Sequence, residues 1–531
     1  MRRFVTVVVF SILILAIFPV YTRFKVAAAP VPPGVHLAGL DLSDLKNPAE
    51  IRQHLDRIYT EPIAVYFADR RLVLRPQDVD FHVDVDQMVA EAGDYLDGAA
   101  FMDIAVREAL GVPQRRRDVP IRFTLNADAL RAWLSSVAAE HNSAPQGARV
   151  LPPTDSWVHG GTQGSQMAPG FVGSYAADWT WLPGTPGYEL DMEASIPALI
   201  ASLTRVEDRD AHLVLAETPA APASMADLER ALDSYLSSFP GFAAVYVHDL
   251  QNDTEANVDA DVSFSGMSTL KIAIVAAIMH QLENGIAAGD PVSAEIGQWI
   301  DFALGESNNY AANLLLRQLG GGETGAGARR FTEFMRRLGF TSTYMQSAYD
   351  VEVQLAEIPT PGNQRTDWNT NPDNNLQSTP AEMGRVLSAI YECALGRGLL
   401  LEVYGDKITP DECTSILFYL DHDEFRELLW AGLPKPEQAR IVHKHGFAFE
   451  SHSDVALIWG PTGPYVLSVF LYRRGWMDWG TSNSTMKNVS RLVWNFFEFQ
   501  REQGAPAAGP PLELPPPPGY VPIGTYIPAG P

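Results

Sequence analysis

Cysteine is almost absent from this chain: Cys393 and Cys413 stand alone in 531 residues. None lies near the N-terminus, which excludes a lipid-modified cysteine anchor. The pair admits either one disulfide, if the chain is exported, or two buried thiols. Basic residues are scarce too, 39 Lys and Arg against 64 Asp and Glu, for a formal net charge of -25. Nucleic acids and anionic membrane surfaces repel such a protein, so neither is expected as a partner. Charged residues amount to 19% against 46% hydrophobic ones, which excludes a disordered polymer. Long apolar runs are missing with one exception. Met1-Arg2-Arg3 precedes the stretch Phe4 to Tyr21, interrupted only by Thr6, Ser11 and Pro19. This is the positive-inside pattern of an export signal, about long enough to span a bilayer. Arg23, Lys25 and Pro30 around Ala27-Ala28-Ala29 make a poor cleavage site. Residues 1–33 therefore read as an uncleaved signal anchor and linker that places the rest in the cell envelope, outside the cytoplasm; the alternative is secretion after cleavage.

The length exceeds one ordinary core, and two or three domains are expected. Residues 34–216 carry short strands and helices with no catalytic pattern, a mixed α+β module. Ile63 to Phe67 and Leu72 to Leu74 flank a turn at Asp69-Arg70-Arg71, while Pro48 to Ile58 and Asp128 to Ala138 have helical spacing. Glu217 to Ala223, with Pro219 and Pro222, marks a boundary. Residues 222–502 form the next domain. A helix is expected from Met225 to Ser238 and strands at Phe242–His248 and Asn257–Ala260. Three more follow at Arg440–Lys444, Asp454–Trp459 and Tyr465–Tyr472, before a last helix from Asn483 to Gln500. These strands predict a five-stranded antiparallel sheet flanked by helices, with an all-helical subdomain between its parts. Residues 503–531 are expected to be a disordered tail, since ten prolines fall between Ala505 and Pro531 without apolar periodicity.

Ser268-Thr269-Leu270-Lys271 stands directly before the apolar stretch Ile272 to Met279, a buried helix ending near Gly285. Serine and lysine three positions apart on one helix face bring an ammonium beside a hydroxyl. Desolvation lowers the lysine pKa, so that a neutral amine can take the serine proton. The helix dipole favours developing negative charge at that end. Ser-x-x-Lys alone arises often by chance, with the serine as a mere N-cap. Order changes this: Ser307-Asn308-Asn309 follows, and Lys444-His445-Gly446 closes the series on a strand.

These three motifs resemble the SxxK, SxN and KTG signatures of class A β-lactamases and low-molecular-weight penicillin-binding proteins, over about 280 residues. The resemblance implies a β-lactamase-like fold, with Ser268 as nucleophile and Lys271 as its base. It implies that Ser307 relays a proton to the leaving group and that Asn309 binds the substrate amide. Lys444, with His445 and Gly446, would bind the substrate carboxylate side, and the amides of Ser268 and Phe447 would form an oxyanion hole. Thr379-Pro380-Ala381-Glu382-Met383 resembles the start of the helix after the family's omega loop, and Asp454 falls on the strand after Lys444-x-Gly446. The order of Pro33 to Gly39, a helix, a strand pair and Gly187 to Asp191 resembles the peptidoglycan-binding domain found ahead of vancomycin-resistance W-type proteins.

Two departures bear on activity. Between Tyr349 and Ser378 the family's omega-loop glutamate, with asparagine four residues on, is missing: Glu352 is followed at that spacing by Ala356 and Glu357 by Pro361. The acyl group is then expected to persist unless Glu357 or another group serves as base for water. His445 replaces the hydroxyl residue of the third motif. His443 and His445 share one strand face and Lys444 takes the other. With His452 they lack metal-ligand spacing, and no metal or cofactor is expected. The leading expectation is an extracytoplasmic serine hydrolase acylated at Ser268, acting on a cell-wall peptide or related amide or ester. Its partners would be peptidoglycan fragments or β-lactam-like small molecules, with the membrane reached through the N-terminal helix. Alternatives are a class A-type β-lactamase and a non-catalytic wall-binding or β-lactam-sensing protein.

Overall fold

The computed structural model describes residues 29–152, 178–282, 285–286, 291–353, 355–405, 407–434 and 439–522. It divides the chain into two units: Met1–Gln146 with Thr185–Ala220, and Gly147–Gly184 with Ala221–Pro531. The apolar run from Phe4 to Tyr21 lies outside the described residues. Among the described residues no helix is long and apolar enough to cross a membrane.

The first unit is the expected α+β mixture. Asn47 caps the helix Pro48–Thr60 by accepting from the Ala49 amide, and Asn126 caps Ala127–His141. Their apolar faces, including Ile51, Leu55, Leu130 and Leu134, are fully buried in one core with Val65 and Leu74. The hairpin pairs Ile63–Phe67 with Arg70–Leu74, two residues earlier than the expected second strand, because Ala68 at φ +47° tightens the turn. The expected module 34–216 is interrupted. Residues 147–184 belong to the second unit, where strands Arg149–Leu151 and Thr180–Leu182 pair. Trp181 packs edge-on against Phe496 at 5.0 Å and Trp179 against Tyr235 at 5.2 Å. Burial of two indoles decides this placement, which no local pattern in the sequence announces.

The second unit is built on five strands: β1 (Phe242–Asp249), β2 (Thr254–Val258), β3 (Ile441–Phe447), β4 (Ser451–Trp459) and β5 (Pro464–Tyr472). Their order is β2-β1-β5-β4-β3, antiparallel throughout. β2 starts three residues before its expected place, and β3 continues past Lys444 to Phe447. Alternate residues feed two cores. Val442, Val455, Leu457, Val466 and Phe470 face one, and Ile441, Ala456, Ile458, Leu467 and Val469 face the other. That two-sided burial is why the strands read as continuous apolar runs. Helix α1 (Met225–Leu236), opened by a Ser224–Asp227 capping box, lies over the second core. The long C-terminal helix Trp479–Glu502 lies over it too. The first core is filled by helix α2 (Leu270–Gln281), in which every residue from Leu270 to Met279 is buried. Cys393 and Cys413 form a disulfide joining helices Pro380–Ala394 and Pro410–Leu420.

The tail is not the disordered segment expected. Ala508 N–H donates to Pro461 O at 3.0 Å, and Leu512, Leu514 and Tyr520 pack against the first core. Proline restricts the unfolded chain, so little entropy is lost when a few apolar side chains dock it. Residues 523–531 lie outside the described residues.

Candidate active site

Ser268 sits in a 3₁₀ turn, Met267–Thr269, that runs straight into α2. Met267 adopts φ +50°, a strained conformation for a residue with a side chain, and Tyr349 Oη donates to its carbonyl at 3.0 Å. The turn is thus held from outside, with the serine half-buried at the helix head.

Lys271, one turn along, is wholly buried. Its Nζ donates to Ser307 O at 2.5 Å, Asn309 Oδ1 at 2.8 Å and Ser307 Oγ at 3.4 Å. All three acceptors are neutral. Burial first, and the charge of Lys444 second, push its pKa down to about 7, with Asp350 opposing. Ser307 stands at φ +58° before helix α3 (Asn309–Leu319), whose N-cap is Asn308. That bend turns both the carbonyl and the hydroxyl of Ser307 onto Lys271. Asn309 Nδ2 donates to both carboxylate oxygens of Asp350 at 3.1 Å, which fixes its Oδ1 toward the lysine. The Tyr349 ring lies 5.1 Å from Lys271 Nζ.

The third motif lies on β3, the edge strand. Ala448 N–H donates to Ser451 O and Trp459 N–H to Arg440 O, so even-numbered residues of β3 turn their backbone toward β4. Odd-numbered ones, Phe447 among them, turn theirs out of the sheet edge. This leaves the Phe447 amide available as a donor beside the serine turn. A Cβ added to Gly446 would stand 2.8 Å from Met267 Cβ and 3.1 Å from Ser268 N, so only glycine permits this approach. Lys444 is fully buried, and its Nζ makes no hydrogen bond. The nearest counter-charge is Asp423 Oδ2 at 3.6 Å. Burial holds the Lys444 pKa below the usual lysine range, with Asp423 and Asp454 opposing.

His445, expected to bind substrate, donates its Nδ1–H to Asp423 Oδ2 at 3.1 Å and packs tilted against Phe425 with centroids 4.2 Å apart. Burial lowers its pKa, with the Asp423 hydrogen bond opposing, and the Nδ1–H donor role follows from that bond. Burial acts to raise the Asp423 pKa, but the His445 hydrogen bond and the Lys444 charge outweigh it and hold the value at about 2. His443 faces Asp454 at 3.0 Å and His452 faces Ser482 at 2.7 Å, so the three imidazoles serve three separate partners. Glu357 accepts from Gln377 Nε2 at 2.8 Å. Gln377 pairs with Ser265, three residues before the serine.

The structure therefore brings Lys271, Ser307 and Asn309 together by hydrogen bonds, sets Gly446 against the Ser268 amide, and couples Lys444 electrostatically to Lys271. Sequence reasoning missed Tyr349, Asp350 and Asp423. None of them belongs to a spaced motif, and each acts through contacts 40 residues or more from the expected set, or across the sheet edge. The arrangement puts a deprotonatable amine one helical turn from the Ser268 hydroxyl and sets the strand that carries Phe447 against the serine turn, which suits acyl transfer.

This fold and site define a serine hydrolase built on a five-stranded antiparallel sheet. The model of the beta-lactamase enzyme family matches residues 227–290 and 287–497, just over half of the chain. The chain belongs to that family. A beta-lactamase of Mycobacterium tuberculosis is 28% identical over 272 residues, 47% of this chain and 76% of the relative, and one of Mycobacterium bovis matches to the same extent. Among solved structures, a reconstructed ancestral class A beta-lactamase aligns at 24% identity and TM-score 0.38. It covers 50% of this chain and 98% of its own. A beta-lactamase from Streptosporangium roseum aligns at 20% and TM-score 0.38, covering 50% and 97%.

Proposed function

We propose that the protein is an extracytoplasmic serine hydrolase, anchored by its N-terminal run, that is acylated at Ser268 by a cell-wall peptide or related amide or ester. The observation that carries this reading is the buried Lys271 amine, with a pKa of about 7 and neutral partners Ser307 and Asn309. In the first step Lys271 takes the Ser268 proton, the Ser268 oxygen adds to the carbonyl carbon, and the oxyanion forms at the Ser268 and Phe447 amides. Ser307, hydrogen-bonded to Lys271, then passes that proton to the leaving group as the bond breaks. Charge on Lys444 lowers the Lys271 pKa and so favours its neutral amine. In this reading the first unit, with the order of a peptidoglycan-binding domain, holds the enzyme at its polymer.

A second reading, hydrolysis of β-lactams, is favoured by the relatives named beta-lactamase and by Glu357, fixed close to the serine strand by Gln377. Its carboxylate would be the base for the deacylating water. One experiment separates the readings: expose the protein, Ser268→Ala and Glu357→Gln to a fluorescent penicillin and a chromogenic cephalosporin. Persistent label lost in Ser268→Ala is the expected result. Rapid turnover that falls in Glu357→Gln establishes the second reading, and absence of label overturns acylation by lactams.

A further inference from the structure

The family match ends at residue 497, yet the chain continues as a strap along the second unit. Ala508 is tied to Pro461, Leu512 and Leu514 are docked, and Pro517 is buried. There the strap turns. Tyr520 N–H donates to Pro517 O at 3.0 Å across Pro518 and Gly519, the latter at φ +81°, the Pro-Gly pair that a type II turn requires. The turn aims Tyr520 at a polar pair, buried Asp301 and half-buried His422. Its hydroxyl donates to Asp301 Oδ2 at 3.1 Å, while His422 Nδ1–H donates to Asp301 Oδ1 at 2.8 Å. Its ring meets Phe418 edge-on at 5.0 Å and His422 at 5.5 Å.

His422 is the neighbour of Asp423, which holds Lys444 and His445. Beside these groups lies an open pocket of about 790 Å³, whose lining includes Glu306, His422, Asp423, Arg426 and His445 and, from the strap, Tyr520 and Pro522. Glu306 precedes Ser307 of the second motif and His445 belongs to the third, so the pocket borders two of the three motifs while Ser268, Lys271 and Ser307 lie outside its lining. Its volume is that of a site for an extended ligand, more than a small lactam needs. Its lining is polar, which suits a hydrogen-bonding chain rather than an apolar ring.

We propose that Tyr520 and Pro522 are the outer wall of a substrate subsite on the Ser307–Lys444 side of the scissile bond, which takes the polar chain of a peptide. This rests on the acyl-transfer reading above. Tyr520 is then a specificity determinant without a part in the chemistry. The test measures calorimetric Kd of a synthetic cell-wall pentapeptide for the full chain carrying Ser268→Ala. The rate of labelling by a small fluorescent penicillin is measured on the chain with Ser268 intact. Each is repeated with Tyr520→Ala and Tyr520→Phe. Tyr520→Ala should raise the pentapeptide Kd about 10-fold, with penicillin labelling and Tyr520→Phe within about 2-fold of the parent. A pentapeptide Kd unchanged by Tyr520→Ala, no pentapeptide binding by the parent, or equal losses with both probes overturns the proposal. A parent that binds pentapeptide but takes no label overturns the acylation reading and leaves the wall decided by the Kd values.

Discussion

Lys271 lies at the head of an apolar helix, bonded to three neutral oxygens, whereas Lys444 lies on an edge strand 3.6 Å from the Asp423 carboxylate. Both are wholly buried. The difference separates two jobs. A buried amine whose direct partners are all neutral, with Asp350 only at one remove, gives up its proton near neutral pH and can serve as a base. For a buried amine beside a carboxylate held at about 2, the opposing charge counters the lowering by burial, and charge on that second lysine in turn lowers the pKa of the first.

Four substitutions test this division. Lys271→Met removes the base and should cut the acylation rate about 10²–10⁴-fold, read by stopped-flow labelling; a loss under about 10-fold would assign the base elsewhere. Asp423→Asn should destabilise the second unit by roughly 3–5 kcal/mol, since Lys444 stays buried without its partner. Denaturant unfolding checks it, and a midpoint equal to the parent's would show that Lys444 needs no carboxylate. Gly446→Ala drives a methyl into Met267 and the Ser268 turn, with a cost of about 1–3 kcal/mol and slower acylation at unchanged Lys271 titration. Acylation by the parent should rise with pH around a midpoint of about 7 as Lys271 loses its proton. Lys444→Met should move that midpoint to higher pH, because the second cation no longer opposes protonation. A midpoint that stays or falls would uncouple the two lysines.

The same titration has a smaller effect on stability. The Lys271 pKa is lower in the folded chain than in the unfolded one, so the unfolded state binds the extra proton between about pH 7 and 10.5. Stability from this group therefore increases as pH rises through that window. Below pH 7 the whole cost of burying the charge is present, and there Lys271→Met should raise Tm most, by a few degrees. A gain in Tm that does not shrink toward pH 10 would show that the Lys271 pKa is not lowered in the folded chain.

Much of the catalytic unit was legible along the chain. Five β-rich segments, the apolar stretch after Ser268 and the terminal helices all have local patterns, and burial on two faces made the strands conspicuous. Boundaries moved where turns decided them, as at Ala68 and in the extension of β3 to Phe447. The Trp179 and Trp181 segment was assigned to the wrong unit, because the helix that buries it lies 300 residues on. The prolines of the tail suggested disorder, while the contacts of Leu512, Leu514 and Tyr520 order it.

The sequence by itself determined which groups can do chemistry: a serine and a lysine one helical turn apart, and a second lysine before a glycine on a strand. Local backbone geometry suffices for that. Only the tertiary structure decided how those groups are tuned. The Lys271 pKa depends on burial and on Lys444. His445 is held by Asp423. The strap reaches the cavity beside the site. Each of these is a through-space interaction between distant segments, and electrostatic energy depends on distance and burial, which spacing along a chain does not encode.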